Sequence, residues 1–417
     1  MTHILREMWL LGRSRSAIWA LLLLAVCASA SVALGLASVA RDRAVIDRML
    51  AGQVAEEAAL AAFVEDAGSG AYYGFQPTWD PPSDLAFAAL GSRDIAPAVL
   101  RVRALALEGQ IYENESSNPE LALPGRFDLA FVAVYVAPLV LIALLHDLWS
   151  GEREAGRYHA LAALPRARRR LWTSRVAVRL AGVLVALLLP FGIGALMAGT
   201  APLRALGFAG LITLVCLLWT AIVLVVARLG VRSAVNAASL AAVWFALTLV
   251  APAGVNLAIN AGVPVPDGAA LARENREYVH AGWDRPRDRT MRDFLKVYPQ
   301  HEAGSAIPPT FHWKWYFAFQ HLGDLHVAEQ SQAYRDGIAR RAEMGRIAGW
   351  VLPPAGLAQA MSAMAGTDVT AQLDYQMRIR AYHQRLREFY YDYLFSEKPF
   401  GPQELARVPR FDPAIGG

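Results

Sequence analysis

The chain has 417 residues, of which 55% are hydrophobic and 18% are charged, whereas soluble proteins carry about 25% charged residues. The shortage of charge is concentrated in a few long apolar runs, which favours an integral membrane protein with water-exposed segments over a soluble protein. The net charge is +4, and no arginine cluster is interleaved with aromatics, so we expect no nucleic-acid partner. Both cysteines, Cys27 and Cys216, lie inside apolar runs, which indicates neither a disulfide nor a zinc framework.

Five runs are long enough to cross a bilayer, for which a helix needs about 20 apolar residues. The first could instead be a signal peptide, because Ala28-Ser-Ala30 has the small residues of a cleavage site. Its apolar stretch continues to Val39, too far for such a peptide, so we favour a retained helix. The predicted spans are residues 17–40, 128–148, 176–197, 206–227 and 237–259.

The positive-inside rule orients these spans. Arginines are frequent before the first span (1–16) and in the loops 149–175 and 228–236, whereas the loop 198–205 holds only Arg204. We therefore expect the N-terminus and the two arginine-bearing loops in the cytoplasm. Residues 1–16 are predicted to form an amphipathic elbow helix on the inner leaflet.

Two long segments, 41–127 and 260–417, then fall outside the cytoplasm. Their apolar periodicity predicts helices over 41–66, 269–296 and 328–394, the last broken at Pro353-Pro354. The predicted fold is an all-α integral membrane protein with about five transmembrane helices and a mostly helical extracytoplasmic domain built from two insertions.

Several enzyme signatures are missing from the sequence. None of the lysines, Lys296, Lys314 and Lys398, follows a glycine as in a P-loop, so we expect no ATP hydrolysis by that route. There is no zinc-binding His-Glu-x-x-His helix and no Gly-x-Ser-x-Gly nucleophile elbow. Three histidines flank Asp324, but their spacing matches no metal site, and we interpret them as packing or surface residues. They are His312, His321 and His326.

The aromatic run 311–319 allows two interpretations. It could stack a ligand or rest on a membrane, or it could be part of a domain core, which is the commoner role of such a run.

The loop after the second span contains the most informative pattern. Acidic residues open a short helix, arginines follow it after Pro165, and apolar residues recur at helical spacing between them. The pattern predicts one amphipathic helix over 152–164. Either it projects into the cytoplasm or it lies on the lipid headgroups as a positive-inside anchor.

The second span contains Pro138, and the stretch Gly151-Glu-Arg-Glu-Ala-Gly156 and the turn Leu164-Pro-Arg166 follow it. With these residues the chain from 127 to 170 resembles the membrane subunit of type-2 ABC transporters. The match is closest to a subfamily with large extracytoplasmic insertions related to gliding-motility-type permeases, on the residues Phe127-Asp128, Leu352-Pro-Pro-Ala355 and Ala365-Gly-Thr-Asp368. The resemblance implies a bacterial inner-membrane protein whose 152–164 helix docks on a cytoplasmic ABC ATPase in a separate chain. It also implies six spans, and this chain stops about where the sixth would begin. The implied coupling residues are Glu152, Arg153, Glu154, Gly156, Arg157, Tyr158, Leu161 and Leu164.

The function expected from this resemblance is that of a non-enzymatic permease subunit of an ATP-driven exporter. It would dimerise with a second copy or a paralogous permease and hold no cofactor of its own, since the partner binds ATP. Replacing Glu152 and Glu154 by lysine would then uncouple ATP hydrolysis from transport without unfolding the protein. The alternatives are a non-transporting transmitter that acts mechanically on an envelope partner, and a membrane enzyme with an extracytoplasmic site.

Overall fold

The computed structural model describes residues 3–94, 98–114, 127–163 and 167–414. This part of the chain is mostly helical and contains one two-stranded sheet. Five helices in it are long and apolar enough to cross a membrane, as an all-α membrane protein requires. We call them spans 1 to 5, and they comprise Arg15–Ala61, Leu129–Glu154, Arg170–Ala198, Pro202–Ala227 and Ser233–Gly262.

The helices, in chain order, are α1 (His3–Leu11), α2 (Arg15–Ala61), α3 (Ala67–Tyr73), α4 (Leu107–Asn114), α5 (Leu129–Phe131), α6 (Ala137–Leu145), α7 (Ser150–Glu154), α8 (Tyr158–Ala163), α9 (Ala167–Ala198), α10 (Pro202–Ala227), α11 (Ser233–Phe245), α12 (Ala251–Gly262), α13 (Gly268–Ala281), α14 (Arg287–Leu295), α15 (Trp313–His326), α16 (Ala328–Val351), α17 (Pro353–Met364), α18 (Val369–Phe395) and α19 (Pro402–Leu405). The strands are β1 (Gln76–Trp79) and β2 (Val99–Val102), and the 3-10 turns are Gly91–Asp94 and Pro299–Gly304.

Span 1 is one continuous helix of 47 residues. We predicted a membrane span over 17–40 followed by a separate amphipathic helix over 41–66, but α2 runs through both without interruption. The sequence gives no reason for a break, since residues 15–61 contain no proline. Ser14 caps the start by accepting a hydrogen bond from the Ala17 N–H. The helix therefore extends well past the length that a bilayer requires.

Spans 2 and 5 share an irregularity. Each contains one π-helical turn, Val132–Val136 and Ala246–Val250, and each turn is followed by an Ala-Pro pair at Pro138 or Pro252. Proline has no N–H to continue the α-helical ladder, and a wider turn accommodates the missing bond. Such turns are frequent at functional positions.

The spans surround an apolar core. Phe191 of span 3 stacks on Phe208 of span 4 with ring centroids 5.2 Å apart, and Trp219 of span 4 is fully buried. Close packing against span 1 depends on a small residue: at Gly35, a Cβ would lie 1.9 Å from the carbonyl oxygen of Phe87, which lies in a turn between β1 and β2.

The remaining elements form a helical domain at one end of the bundle. The strands β1 and β2 pair antiparallel, with Gln76 opposite Val102 and Trp79 opposite Val99, so the domain is not purely helical. The predicted helix over 269–296 is divided into α13 and α14. The break predicted at Pro353-Pro354 is confirmed, because α16 ends and α17 begins there.

Most of the aromatic run lies on α15 inside the core of this domain, whereas Phe311 precedes that helix and is 45% exposed. Trp315, Phe317 and Phe319 are buried, and they pack with aromatic residues of α14 and α18 such as Phe294 and Tyr391. The interpretation of this run as domain core is confirmed.

Polar contacts join the helical domain to the bundle. The Asp84 carboxylate forms an ion pair with Arg204 at the start of span 4, and the Asp84 carbonyl accepts a hydrogen bond from Thr200 Oγ1 at 2.7 Å. Within the domain, Ser83 Oγ donates to the Ala365 carbonyl at 2.5 Å and Thr367 Oγ1 donates to the Ala89 carbonyl at 2.9 Å, which joins the segment that contains Asp84 to the end of α17. We call this side of the bundle the domain end, and the side with α1, α7 and α8 the loop end.

Candidate functional site

The stretch 152–164 is not the single helix that we predicted. In the structure α7 ends at Glu154, Gly156 adopts a left-handed conformation with φ +72°, and α8 begins at Tyr158. The Gly156 N–H donates to the Arg153 carbonyl at 3.0 Å and the Arg157 N–H donates to the Glu152 carbonyl at 2.9 Å. This pair of bonds is a Schellman motif, which ends a helix at a glycine. The prediction of one helix was based on the spacing of apolar residues, which does not take the helix-ending effect of Gly156 into account.

Glu152 is buried at the centre of an ion-pair cluster. Its carboxylate accepts from Arg157 Nε at 2.7 Å and from Arg175 Nη1 at 2.8 Å. Arg175 belongs to α9 and also pairs with Glu7 of α1, with Nε and Oε1 3.3 Å apart. Glu152 thus connects the end of span 2 to the start of span 3 and to the N-terminal helix.

Glu154 connects the same short helix to span 5. Its carboxylate accepts from the Ser233 N–H at 2.7 Å and from Ser233 Oγ at 3.0 Å, at the first residue of α11. A negative charge is favourable at that helix terminus. Asn236 of α11 completes the connection by donating to the His146 carbonyl at 3.2 Å.

Arg153 lies over the loop between spans 4 and 5. A Cβ at Gly230, which has φ +82°, would lie 3.3 Å from Arg153 Nη1, and the Arg153 guanidinium lies 5.8 Å from the centre of the Tyr158 ring. The helix α7, at the end of span 2, therefore contacts the start of span 3, the loop between spans 4 and 5, and the start of span 5.

The helix α8 has one face on the bundle and one face open. Tyr158 and Leu161 are half-buried and α8 packs on α9, whereas His159, Ala160 and Ala163 are exposed. Gly156 and Arg157 are exposed beside them. Leu164 lies outside the described residues. The exposed face combines His159 with the small side chains of Ala160 and Ala163, which a protein surface can approach closely.

A cavity of about 230 Å³ opens between α1, span 1, span 2 and span 3 beside the ion-pair cluster. This cavity is lined by charges of both signs. The sequence did not predict that they meet, because the arginines served only to orient the spans and Glu7 is distant along the chain. The charged lining residues are Glu7, Asp147, Glu152, Arg175 and Arg179.

A second buried polar network lies inside the helical domain. Asp324 accepts hydrogen bonds from the Leu107 N–H at 2.8 Å, the Glu108 N–H at 3.0 Å and Arg387 Nη2 at 2.7 Å. Arg387 also donates to His321 Nδ1 at 3.1 Å. Burial, assisted by the Arg387 charge, lowers the pKa of His321 to about 3.

Glu108 and Arg380 form the other half of this network, with Arg380 Nη2 2.7 Å from Glu108 Oε2. Burial alone would raise the pKa of Glu108, but the hydrogen bond and charge of Arg380 outweigh it and hold that pKa below its ordinary value. These opposite charges pair with one another and tie α4 to α15 and α18, which is a structural role.

The other two histidines near Asp324 take separate positions. His312 caps α15 by accepting from the Lys314 N–H, and His326 stacks on Tyr278 with ring centroids 4.2 Å apart. Within the described residues, no group of three or more His, Cys, Asp or Glu side chains is arranged to hold a metal ion.

Comparison with known proteins gives one similarity. Residues 269–414, which make up most of the helical domain, match the family model described as "Domain of unknown function (DUF3526)". No curated protein and no solved structure matches the chain.

Proposed function

We propose that the chain is the permease subunit of an ATP-driven exporter of the type-2 ABC class. In this proposal a cytoplasmic ABC ATPase in a separate chain docks on the exposed face of α8. The chain would dimerise with a second copy or a paralogous permease in a bacterial inner membrane. The loop end would lie in the cytoplasm and the helical domain outside it.

The arrangement of α7 and α8 carries the proposal. An element that receives force from a partner needs one face open to that partner and another fixed to the parts that must move. The face of α8 around Ala160 is open, while Glu152 and Glu154 fix the adjoining α7 to spans 2, 3 and 5. A displacement of α8 would therefore reach several spans together.

This geometry also revises the expected roles of the two glutamates. Both carboxylates have partners within the chain, Glu152 in the buried ion-pair cluster and Glu154 at the exposed start of α11. They therefore transmit the displacement, and the docking contacts fall to His159, Ala160 and Ala163. Replacing Glu152 by lysine would place a third cation beside Arg157 and Arg175 and would destabilise the loop end. The double lysine variant is for that reason a poor test of docking.

A better test places bulk on the docking face. The full chain is reconstituted with the ABC ATPase of the proposed complex, identified by co-purification with the wild-type chain, and ATP hydrolysis and co-purification are measured for Ala160→Trp. The matched control is Ala55→Trp, an equally exposed helical alanine on α2, in the part that we place on the other side of the membrane. We expect Ala160→Trp to reduce stimulation of the ATPase at least about tenfold, as loss of about 1.4 kcal/mol of binding would, and Ala55→Trp to act as wild type.

Two outcomes would overturn the proposal. One is wild-type stimulation by a well-folded Ala160→Trp chain. The other is the absence of any effect of the wild-type chain on the ATPase.

The runner-up function, a transmitter that performs no transport, is favoured by the domain junction. Span 1 continues into the helical domain without a break, and Asp84 fixes that domain to span 4 through Arg204. Motion of the spans would thus reach the domain directly. Distances between spin labels at Ala55→Cys in the two copies distinguish the readings: a transmitter changes them on ATP binding without any cargo, whereas an exporter requires cargo for the full cycle.

A further inference from the structure

The hairpin of α16 and α17 carries an apolar surface that the packing within the chain leaves open. Ile347, Trp350 and Val351 at the end of α16 are 59%, 87% and 81% exposed. Leu352 alone separates the two helices. No residue from Ile347 to Thr367 is charged. A tip of this composition is unfavourable in water.

The hairpin lies alongside the spans and points toward the loop end. A Cβ at Gly337 would lie 2.8 Å from Val265 Cγ2, and Arg341 Nε donates to the Val263 carbonyl at 2.9 Å, just past the end of span 5. Later residues of α16 contact earlier residues of the chain, toward α12. The helices α16 and α12 are therefore antiparallel. From Arg341 to Val351 the helix descends about 15 Å at 1.5 Å per residue.

The return helix α17 gives an independent measure of the same depth. Its last residue is level with the domain end of span 4, because Arg204 Nη2 donates to the Met364 carbonyl at 2.8 Å. From there back to Pro353 the helix covers about 17 Å. It contacts the π-helical turn Ala246–Val250 in the middle of span 5. Both measures reach about half of the roughly 30 Å thickness of a hydrocarbon core.

Packing within the hairpin resembles that of membrane helices. Gly345 and Gly349 form a Gly-x-x-x-Gly pattern on α16, and a Cβ at Gly349 would lie 2.6 Å from the Gly356 Cα, so the two backbones touch. On its other side α17 places Met361, which is fully buried, in the same core as the spans.

We propose that the α16–α17 hairpin is a re-entrant membrane element whose tip, residues 347–352, is inserted in the lipid hydrocarbon on the domain side. Lipid covers this open surface in our proposal, because the surface lies at the same depth in the membrane as exposed apolar side chains of the spans, such as Leu189. The α17 helix is then lodged beside spans 2, 4 and 5, all of which it contacts. This inference goes beyond the proposed function and requires no ATPase.

Collision of spin labels with oxygen and with a water-soluble nickel chelate tests the proposal. Oxygen concentrates in the hydrocarbon and the chelate stays in water. Single cysteines are introduced in the full chain after Cys27 and Cys216 are replaced by alanine, and the labelled protein is reconstituted in phosphatidylcholine liposomes. The test positions are Val351→Cys and Ile347→Cys. The controls are Leu189→Cys in span 3 and Ala333→Cys, which is exposed near the start of α16.

We expect both test positions to match Leu189→Cys, with a ratio of oxygen to nickel collisions several-fold above that of Ala333→Cys. A ratio like that of Ala333→Cys at both test positions would place the tip in water and overturn the proposal. Poor access for both reagents would also overturn it, since protein, such as a second copy of the chain, would then cover the tip. Both test side chains are largely exposed, so the substitutions disturb little packing.

Discussion

The indole N–H of Trp244 in span 5 donates a hydrogen bond to the backbone carbonyl of Tyr135 in span 2 at 3.2 Å. Tyr135 lies within the π-helical turn of span 2, and Trp244 lies two residues before that of span 5. The two irregular segments, each followed by Ala-Pro, are thus joined to each other. A change in the backbone of one of these two segments would therefore displace the other.

Trp244→Phe removes this bond while keeping most of the aromatic volume. We expect a loss of about 0.6 kcal/mol in the free energy of unfolding and at most about 1.7 kcal/mol, the average and the maximum measured for hydrogen bonds between membrane helices. Unfolding by a denaturing detergent in mixed micelles measures it. Trp19→Phe, on the exposed face of span 1, is the control and should leave the free energy unchanged. Equal values for the two variants would mean that the bond contributes nothing.

At the loop end, Glu152→Gln tests whether the ion-pair cluster stabilises the protein. The neutral side chain leaves Arg175, itself largely buried, without its closest carboxylate, and hydrogen bonds to charged groups contribute about 1.5–3 kcal/mol. We expect a loss of that size in the same unfolding assay. Glu154→Gln is the comparison: Glu154 is exposed and caps only the start of α11, so its loss should be clearly smaller. The reverse order would contradict the assignment of Glu152 as the central residue.

The helical domain should lose stability in mild acid through His321. Its pKa is about 3 in the folded chain and about 6.5 when unfolded, so the unfolded state binds the proton first. Stability is fully present above pH 6.5 and falls as the pH drops from 6.5 toward 3, by up to about 1.4 kcal/mol per pH unit for this group.

Thermal unfolding of the purified chain at pH 7.5 and pH 5.0 measures this dependence. In His321→Asn, whose amide oxygen can still accept from Arg387, the difference between the two pH values should shrink. His280→Asn on α13 serves as the control and should keep the wild-type difference. A wild-type pH difference in His321→Asn would exclude His321 as its source.

The contact between Gly349 and Gly356 predicts opposite effects of two similar substitutions. Gly349→Ala places a methyl group 2.6 Å from the Gly356 Cα, and overpacking of this kind costs about 1–3 kcal/mol. Gly254→Ala in span 5 meets nothing within 4 Å, and removing a helical glycine there should stabilise by up to about 1 kcal/mol. Melting temperatures of the two variants should therefore move in opposite directions, and a shared direction would rule out a close α16–α17 contact.

The spans and the helical character of the domain were predictable because they depend on local patterns. Apolar runs mark spans 1 to 5, and Pro353-Pro354 marks the turn between α16 and α17. The path of that hairpin was not predictable, since Arg341 meets Val263 only through the fold.

In the candidate site, too, local features were predictable from the sequence and contacts between distant residues were not. The motif around Glu152 was visible in the sequence, but Gly156 ends the helix that we drew through it. The partners Glu7 and Arg175 are distant along the chain, so no spacing rule connects them to Glu152. Such pairings depend on how α1 and α9 pack, which local periodicity does not describe.

The unbroken course of α2 has a mechanical consequence. Its 47 residues make a rod about 70 Å long, held near its far end where Glu56 pairs with Arg101 and Glu57 with Arg410. If it pivots near the bilayer centre, a tilt of about 10° displaces that end by roughly 7 Å, as its length dictates. The first span is therefore a lever that converts a small angular change within the membrane into a large excursion of the domain.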